Sequence, residues 1–520
     1  MKNEAFLCLF FTFVCAEGFS AEKKSNPNVI FIYADDMGRG MLSYYGQKYI
    51  STPNIDRLFS EGTCFSNAYG CMFSAPARAS LLTGYPDVRI DKWHKSNGGQ
   101  LFQANTYDKL EQIERKIDEK RVKLPVGDLY LPQVFKKAGY ITGQIGKLEW
   151  GSTTTRKEMR EHGWDYYYGF LDHNRCHGYY PPFLFENDSI IFIKGNTHVD
   201  CAKTYESETP ENYQKRWNMT GKTVYSQNLF LHKIIEFIHA HRNEPFFLFH
   251  STTLPHGPVS IPAVHLEVKN NPELTEIEKE YASMVKMLDE HIGIIFDELE
   301  KLNLLDNTLI VFSVDNGHEI YYQNGNRCRK GPVRDMYGNA FDSWNYPFRS
   351  ELAGDYFDGN NGMSGKKWSN LEGGVRVPLV FRWPSKIKMD RIVEQVVANY
   401  DLLPTFAEML NVKLPIPKDG ESLMPILFGL QDTLPIKRYV YIDSYEGPCI
   451  IDSDGWKLIY NKQYKEFRLF FLPDDYKEEK DLSRKYPMIV VNLKKQLEKE
   501  LSLIDSLYKI RERVIEKSVS

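Results

Sequence analysis

The chain has no run of 18 or more uninterrupted apolar residues, so no segment of it reads as a membrane-spanning helix. It also lacks a charge excess. Its 65 Lys and Arg stand against 69 Asp and Glu, a net of −4 over 520 residues, which gives no general pull toward nucleic acid or an anionic bilayer. Its 8 cysteines include no Cys-x-x-Cys pair, which removes thiolate metal sites of the usual spacing. No internal repeat is present, which sets solenoids aside. What remains, at 42% hydrophobic and 26% charged residues, is a globular composition long enough for several units of roughly 150 residues.

The N-terminus is the one targeting signal. Met1-Lys2 precedes the apolar run Ala5 to Cys15 (AFLCLFFTFVC), and small residues follow at Gly18, Ser20 and Ala21. The run is too short to cross a bilayer, and the pattern predicts a cleavable export peptide over residues 1–21. Lipidation of Cys15 is the alternative, disfavoured by Thr12-Phe13-Val14 ahead of it. Export places Cys64, Cys71, Cys176, Cys201, Cys328 and Cys449 where disulfides can form, and their spacing does not select a pairing.

Beyond the leader, Asn28 to Tyr33 (NVIFIY) is a continuous β-branched and aromatic run that ends abruptly in Ala34-Asp35-Asp36. Buried parallel strands have this texture, and similar runs recur at Pro245 to His250, Leu309 to Val314 and Val377 to Phe381. Between them lie amphipathic segments, the clearest from Glu276 to Leu302 with Tyr281, Met284, Leu288, Ile295 and Leu299 on one face. The alternation predicts an α/β fold: a large mixed, mostly parallel sheet flanked by helices, over residues 22–430. From 431 to 520 the strands shorten, with a hairpin signal at Asp452-Ser-Asp-Gly455, and Pro487 opens a helix bearing Val490, Leu493, Leu497, Leu501 and Ile504. A smaller antiparallel sheet covered by a helix is expected there. The stretch Asn324 to Gly362 reads as a long irregular loop whose Tyr, Phe, Trp and Asp content suits a binding site, with Asp355 and Asp358 as candidate substrate contacts.

Asp35-Asp36 and Asp315-Asn316 are each the first polar residues after a buried run. Four oxygen donors on one rim of a sheet suit a hard divalent cation such as Ca²⁺ or Mg²⁺. The segment Ser74-Ala-Pro-Ala-Arg78-Ala-Ser-Leu-Leu-Thr-Gly84 has proline near a helix start and glycine at its stop, which puts Ser74 at a helix N-terminus, where free N–H groups favour anions.

That segment, S-A-P-A-R followed by A-S-L-L-T-G, resembles the sulfatase signature, in which a Cys or Ser before x-Pro-x-Arg is oxidised to formylglycine. Cys71 does not fit, having Phe73 and Ala75 where the signature has Pro and Arg. The resemblance continues through T-P-N-I-D-R-L at Thr52, L-P-H-G-P around His256, D-N-G-H-E at Asp315, E-G-G-V-R-V-P-L at Glu372, Y-D-L-L-P-T at Tyr400 and D-G-W-K-L-I-Y at Asp454. It implies an alkaline-phosphatase-like fold, with calcium held by Asp35, Asp36, Ser74, Asp315 and Asn316. The catalytic positions it implies are Ser74 as formylglycine, Arg78, Lys147, His256 beside the leaving oxygen, and Lys367 on the sulfate, with Lys366 the alternative. Glu149 stands where the family has histidine, so a carboxylate is the candidate base. The stretch from Leu171 resembles a loop bordering the substrate pocket, which nominates His173, Arg175 and His177. The expectation is an exported, calcium-dependent sulfatase, periplasmic or at the cell surface. It would act on a sulfated glycan and be matured by a formylglycine-generating enzyme. A phosphate or phosphonate monoester hydrolase of the same superfamily and a non-catalytic glycan-binding relative are the rival readings.

Overall fold

The computed structural model describes residues 26–503 apart from 90–106, 121–123, 125, 152–153, 174, 198–209, 212–213, 215–216 and 323–332. The expected export peptide, Cys201 and Cys328 therefore lie outside the described residues. Cys64, Cys71 and Cys449 are free, buried thiols.

Asn28–Ala34 is buried along its whole length and sits at the middle of an 11-stranded sheet. Phe246–Ser251 and Thr308–Val314 flank it, both parallel. Ile141–Lys147 and Tyr166–Phe170 extend the parallel set on the Phe246–Ser251 side. The margins are antiparallel apart from the parallel pair of Arg391–Ala398 with Thr63–Tyr69: Phe183–Glu186 and Ser189–Phe192 close one side. On the other, Leu379–Arg382 bridges Thr308–Val314 to Thr63–Tyr69. Arg376–Val377 and Arg391–Ala398 also pair with Thr63–Tyr69. The mixed sheet with a parallel centre expected from the apolar runs is thus present.

Side chains alternate between the two faces of a strand, and the cores follow that rule. Ile30 and Ile32 pack with Met284, Leu288 and Ile295 of the helix Glu276–Lys301 and with Ile234 of the helix Ser226–Ala240. Val29, Phe31 and Tyr33 pack on the opposite face with Leu81 of Ser74–Thr83, Phe135 of Leu131–Lys137 and Phe406 of Leu402–Met409. The long helix begins at a capping box in which Thr275 and Glu278 satisfy each other's backbone N–H.

The four strands Tyr439–Ile442, Cys449–Asp452, Trp456–Asn461 and Glu466–Phe471 form a separate antiparallel sheet. One face is covered by the helix Pro487–Leu501, with Leu493 and Leu497 against Ile450, Leu458 and Leu469. The other carries Val440, Ile442, Ile451 and Ile459 into a core shared with Tyr69, Val396 and Tyr400 of the large sheet's border. Lys457 lies fully buried between Glu372 (2.8 Å) and Glu478 (2.9 Å), which hold its ammonium charged against the desolvation that burial imposes. The stretch from Asn324 to Gly362 is not uniformly irregular. Val333–Arg334 pairs with Ala340–Phe341, Ser350–Ala353 makes one helical turn, and Phe348 and Phe357 enter the core.

His250, on a central strand, and His291, on the long helix, are both pushed down to about 4 by burial. The unfolded chain takes up these protons below about pH 6.5, whereas the folded chain resists until about pH 4, so stability holds above 6.5 and is lost as the pH falls toward 4. The urea midpoint is expected to drop across that window, and less steeply in His250→Gln. An unchanged slope in that variant would show that His250 is not one of the groups responsible.

Candidate active site

The parallel strands deliver the site. Asp35 and Asp36 follow Asn28–Ala34, Asp315 and Asn316 follow Thr308–Val314, Lys147 ends Ile141–Lys147, and His256 follows Phe246–Ser251. All four chain exits lie on one edge because the strands run in one direction, and open α/β sheets gather ligands at that carboxyl edge.

Lys147 Nζ donates to Asp35 Oδ2 at 2.5 Å, and Lys367 Nζ to Asp36 Oδ2 at 2.7 Å. Arg78, fully buried, reaches Asp35 Oδ2 at 3.5 Å and Asp315 Oδ2 at 3.3 Å. Its Nε donates to Ser74 Oγ at 2.7 Å, and another of its nitrogens donates to Ser251 Oγ. Ser74 opens the helix Ser74–Thr83, which stops at Gly84 in the left-handed conformation (φ 75°). Asn316 Nδ2 donates to Asp36 Oδ1 at 2.8 Å, and the backbone N–H groups of Asp36 and Asn316 both donate to Asp315 Oδ1. His256 Nε2 lies 3.0 Å from Asp36 Oδ2, 3.1 Å from Lys367 Nζ and 3.1 Å from the Tyr321 hydroxyl.

Burial alone would raise the Asp36 carboxyl, but Lys367 and the hydrogen bonds from Tyr321 and Asn316 hold it below its ordinary range. Asp315 is driven the other way, upward, by burial and by the charge of Asp35. A buried carboxylate held up by a like charge is what a bound cation relieves. Two oxygens sharpen the point: Asp35 Oδ1 and Asn316 Oδ1 are buried with no hydrogen-bond partner among the described residues. Asp35, Asp36 and His256 bring ligand atoms within 4.8 Å of one another. Oxygen-rich, acidic and with two vacant acceptors, the cluster fits a hard divalent cation.

The sulfatase family model matches residues 27–412, and the model for the N-sulphoglucosamine sulphohydrolase C-terminal region matches 359–504. The chain belongs to the sulfatase family. It is 26% identical to an N-acetylgalactosamine-6-O-sulfatase of Bacteroides thetaiotaomicron, over 92% of this chain and 94% of that protein. The fold matches Ps i-CgsB solved with k-i-k-neocarrahexaose (TM-score 0.65, 24% identity, 92% and 93% of the two chains). It also matches a phosphonate monoester hydrolase of Agrobacterium radiobacter (TM-score 0.54, 17% identity, 92% and 96%). This sulfatase is accordingly a sulfuric ester hydrolase on an alkaline-phosphatase-like fold.

Its remaining candidate residues divide into those the structure brings to the cluster and those it does not. Of the two neighbouring lysines, Lys367 enters and Lys366 turns to Glu319 (3.1 Å) and Asp342 (3.4 Å). His177 stacks flat on His256, ring centroids 3.6 Å apart. His173 faces the carbonyl of Leu148 instead, at 3.1 Å, and Arg175 begins the same short turn with its side chain outside the described part. Asp355 corrects the sequence reading. Its carboxylate accepts from Tyr322, Ser350 and the N–H groups of Phe357 and Gly359, so it folds the loop inward and has no free face for a substrate. Asp358 is exposed and caps the N–H of Gly362 at 2.9 Å. No sequence motif points to Tyr321, Ser251 or Tyr179. Tyr321 bridges Asp36 and His256, Ser251 bridges Arg78 and the Lys147 carbonyl, and Tyr179 donates to the His256 carbonyl at 2.6 Å. Only their closeness to D-N-G-H-E, P-F-F-L-F-H and the Leu171 stretch marked them.

Glu149 departs most. Left-handed backbone there (φ 45°) breaks the alternation that would put it on the Lys147 face. Its buried carboxylate instead accepts from His162 Nδ1 at 2.9 Å and Trp164 Nε1 at 2.9 Å, and His162 is stacked on Tyr130. None of its described contacts is with Ser74, Arg78 or His256. Glu149→Gln keeps one accepting oxygen but turns the other, which faces His162 and Thr154, into an amide donor; a buried donor left without an acceptor costs about 1–3 kcal/mol, so the variant is expected to lower the denaturant midpoint visibly. A rate loss of about 10²-fold with an unmoved midpoint would instead make Glu149 the proton acceptor.

Proposed function

We infer that this sulfatase is exported and hydrolyses a sulfate ester on a glycan sugar, using a divalent cation, Ca²⁺ by its all-oxygen donor set, and formylglycine at residue 74. The observation that carries the reading is the convergence of Ser74, Arg78, Lys147, His256 and Lys367 on the carboxylates at the edge of the sheet. Asp35, Asp36, Asp315, Asn316 and residue 74 would hold the cation, which supplies Lewis acidity and lowers the pKa of the attacking hydroxyl. As formylglycine, residue 74 supplies a hydrated aldehyde, one hydroxyl for attack on sulfur and a second whose deprotonation expels sulfate.

The chain's own groups do the rest. Arg78, donating to residue 74, orients that side chain at the helix N-terminus, whose dipole favours the incoming anion. Lys147 and Lys367 flank the position of the sulfuryl oxygens and neutralise the charge that grows there. His256, its Nδ1 facing the carbonyl of Gly257, presents Nε2 toward the reacting edge, where it gives a proton to the departing alcohol oxygen. Stacked His177 and bridging Tyr321 keep that ring in place. Glycan as substrate class is supported by the N-acetylgalactosamine-6-O-sulfatase and the k-i-k-neocarrahexaose complex among the similar proteins. The phosphonate monoester hydrolase with the same fold keeps the phosphoester reading as the alternative. Residues 22–430 would form the catalytic unit and 431–520 a supporting one.

Two experiments test the reading. Exhaustive chelation is expected to abolish turnover of nitrophenyl sulfate and calcium to restore it; full activity after chelation would refute the metal assignment. Protein made together with a serine-type maturing enzyme is expected to carry residue 74 lighter by two hydrogens and to prefer nitrophenyl sulfate to nitrophenyl phosphate. Full sulfatase activity with an unmodified Ser74 peptide, or a preference for phosphate, would favour the phosphoester alternative.

A further inference from the structure

Three aromatic rings meet at the rim of the site without a task in the chemistry above. Phe73 precedes the nucleophile position, Trp368 follows Lys367, and Tyr445 comes from the loop between the first two strands of the C-terminal sheet. The Trp368 indole lies 5.0 Å from the Phe73 ring, and Tyr445 lies 6.0 Å from Phe73 and 5.9 Å from Trp368, with planes 14–30° apart. The inner ring is covered while the outer two show: Phe73 is 9% exposed, Trp368 39% and Tyr445 57%. Scattered apolar residues on a surface need no explanation, but near-parallel rings grouped beside a charged cluster do.

The backbone adds an independent observation. Trp368 has a φ of 84°, a left-handed conformation that a bulky side chain rarely adopts. It is held there by its N–H donating to the Met72 carbonyl at 2.8 Å and by the Lys367 N–H donating to the His318 carbonyl at 2.8 Å. Strain of this kind persists where surrounding structure over-determines it, and it clusters at ligand sites. Its effect here is to set the indole beside Phe73 and within 5.1 Å of Lys367 Nζ, the ammonium that also binds Asp36. The platform thus begins about one ring's width from the reacting centre.

We propose that Trp368 and Tyr445, backed by Phe73, form a stacking subsite for a sugar ring of the substrate, so that the C-terminal sheet contributes directly to specificity. The inference rests on the glycan reading above. A pyranose offers one apolar C–H face whose hydrogens are electropositive, matched to the electron-rich face of an aromatic ring, while its hydroxyls stay in water. The patch is too small for a protein partner, which needs about 800 Å² per side. Its shallow, two-ring exposed surface suits a single flat ring instead.

The test uses full-length matured enzyme and a panel of sulfated mono-, di- and tetrasaccharides of galactose and N-acetylgalactosamine, with a small alkyl sulfate as the ring-free reference and nitrophenyl sulfate as the check that the enzyme is matured. Trp368→Ala and Tyr445→Ala are each expected to lose about tenfold more kcat/KM on the best saccharide than on the alkyl sulfate, mainly through KM. Tyr445→Phe should stay within about twofold of wild type, since stacking needs the ring and not the hydroxyl. Tyr445 is exposed enough that its variants should match the wild-type denaturant midpoint, which keeps the Tyr445 arm decisive if Trp368→Ala fails to fold. Equal losses on both substrate types, or a Phe variant as impaired as the Ala variant, would overturn the platform alone. A wild-type enzyme that turns over nitrophenyl sulfate but none of the saccharides would overturn the glycan reading, and the platform with it.

Discussion

Burying three carboxylates at one point is the constraint around which this protein is arranged. Asp35, Asp36 and Asp315 are all fully buried, and self-repulsion at that depth would protonate them or open the fold. Three permanent cations, Arg78, Lys147 and Lys367, are aimed at them from a helix, a strand end and a loop. Lys147 pairs with Asp35, Lys367 with Asp36, and Arg78 spans Asp35 and Asp315. A divalent cation held among these carboxylates would add positive charge at the point where an anionic ester has to be received.

Much of this arrangement was legible in the chain because its causes are local. A strand covered on both faces must be apolar throughout, so the first charged residues after Asn28–Ala34 and Thr308–Val314 mark the functional edge. The helix opened by Ser74 and closed at Gly84 follows from proline and glycine placed at its two ends. What stayed hidden depends on partners far away or on single backbone angles. Neighbouring lysines 366 and 367 look alike in sequence, yet one serves Glu319 and the other Asp36, more than 300 residues upstream. Glu149 reads as a catalytic base until its left-handed φ turns it to His162 and Trp164. Asp355 sits in a polar stretch that suggests a binding loop, and only the folded loop reveals that its carboxylate holds three donors of its own segment and the hydroxyl of Tyr322, 33 residues upstream.

The positioning groups share one property: each holds a side chain of the carboxylate cluster through a second contact rooted in rigid structure. Ser251 ties Arg78 to the Lys147 carbonyl, Tyr179 fixes the loop carrying His256, and Tyr321 joins His256 to Asp36. Side chains pinned at both ends lose little further freedom when substrate arrives, which is the economy of a preorganised site.

Lys457 carries a consequence for how such enzymes diversify. Its charge is sealed between Glu372, which opens the E-G-G-V-R-V-P motif of the large sheet, and Glu478 near the end of the chain. A C-terminal segment transplanted from a distant homologue without a matching lysine would take from Glu372 its shortest charged contact and leave it only Arg376 at 3.4 Å and the Tyr69 hydroxyl at 3.1 Å. Recombination across that joint is thereby discouraged, and new specificities would have to accumulate as point changes in exposed loops such as the one bearing Tyr445, leaving the two sheets to be inherited together.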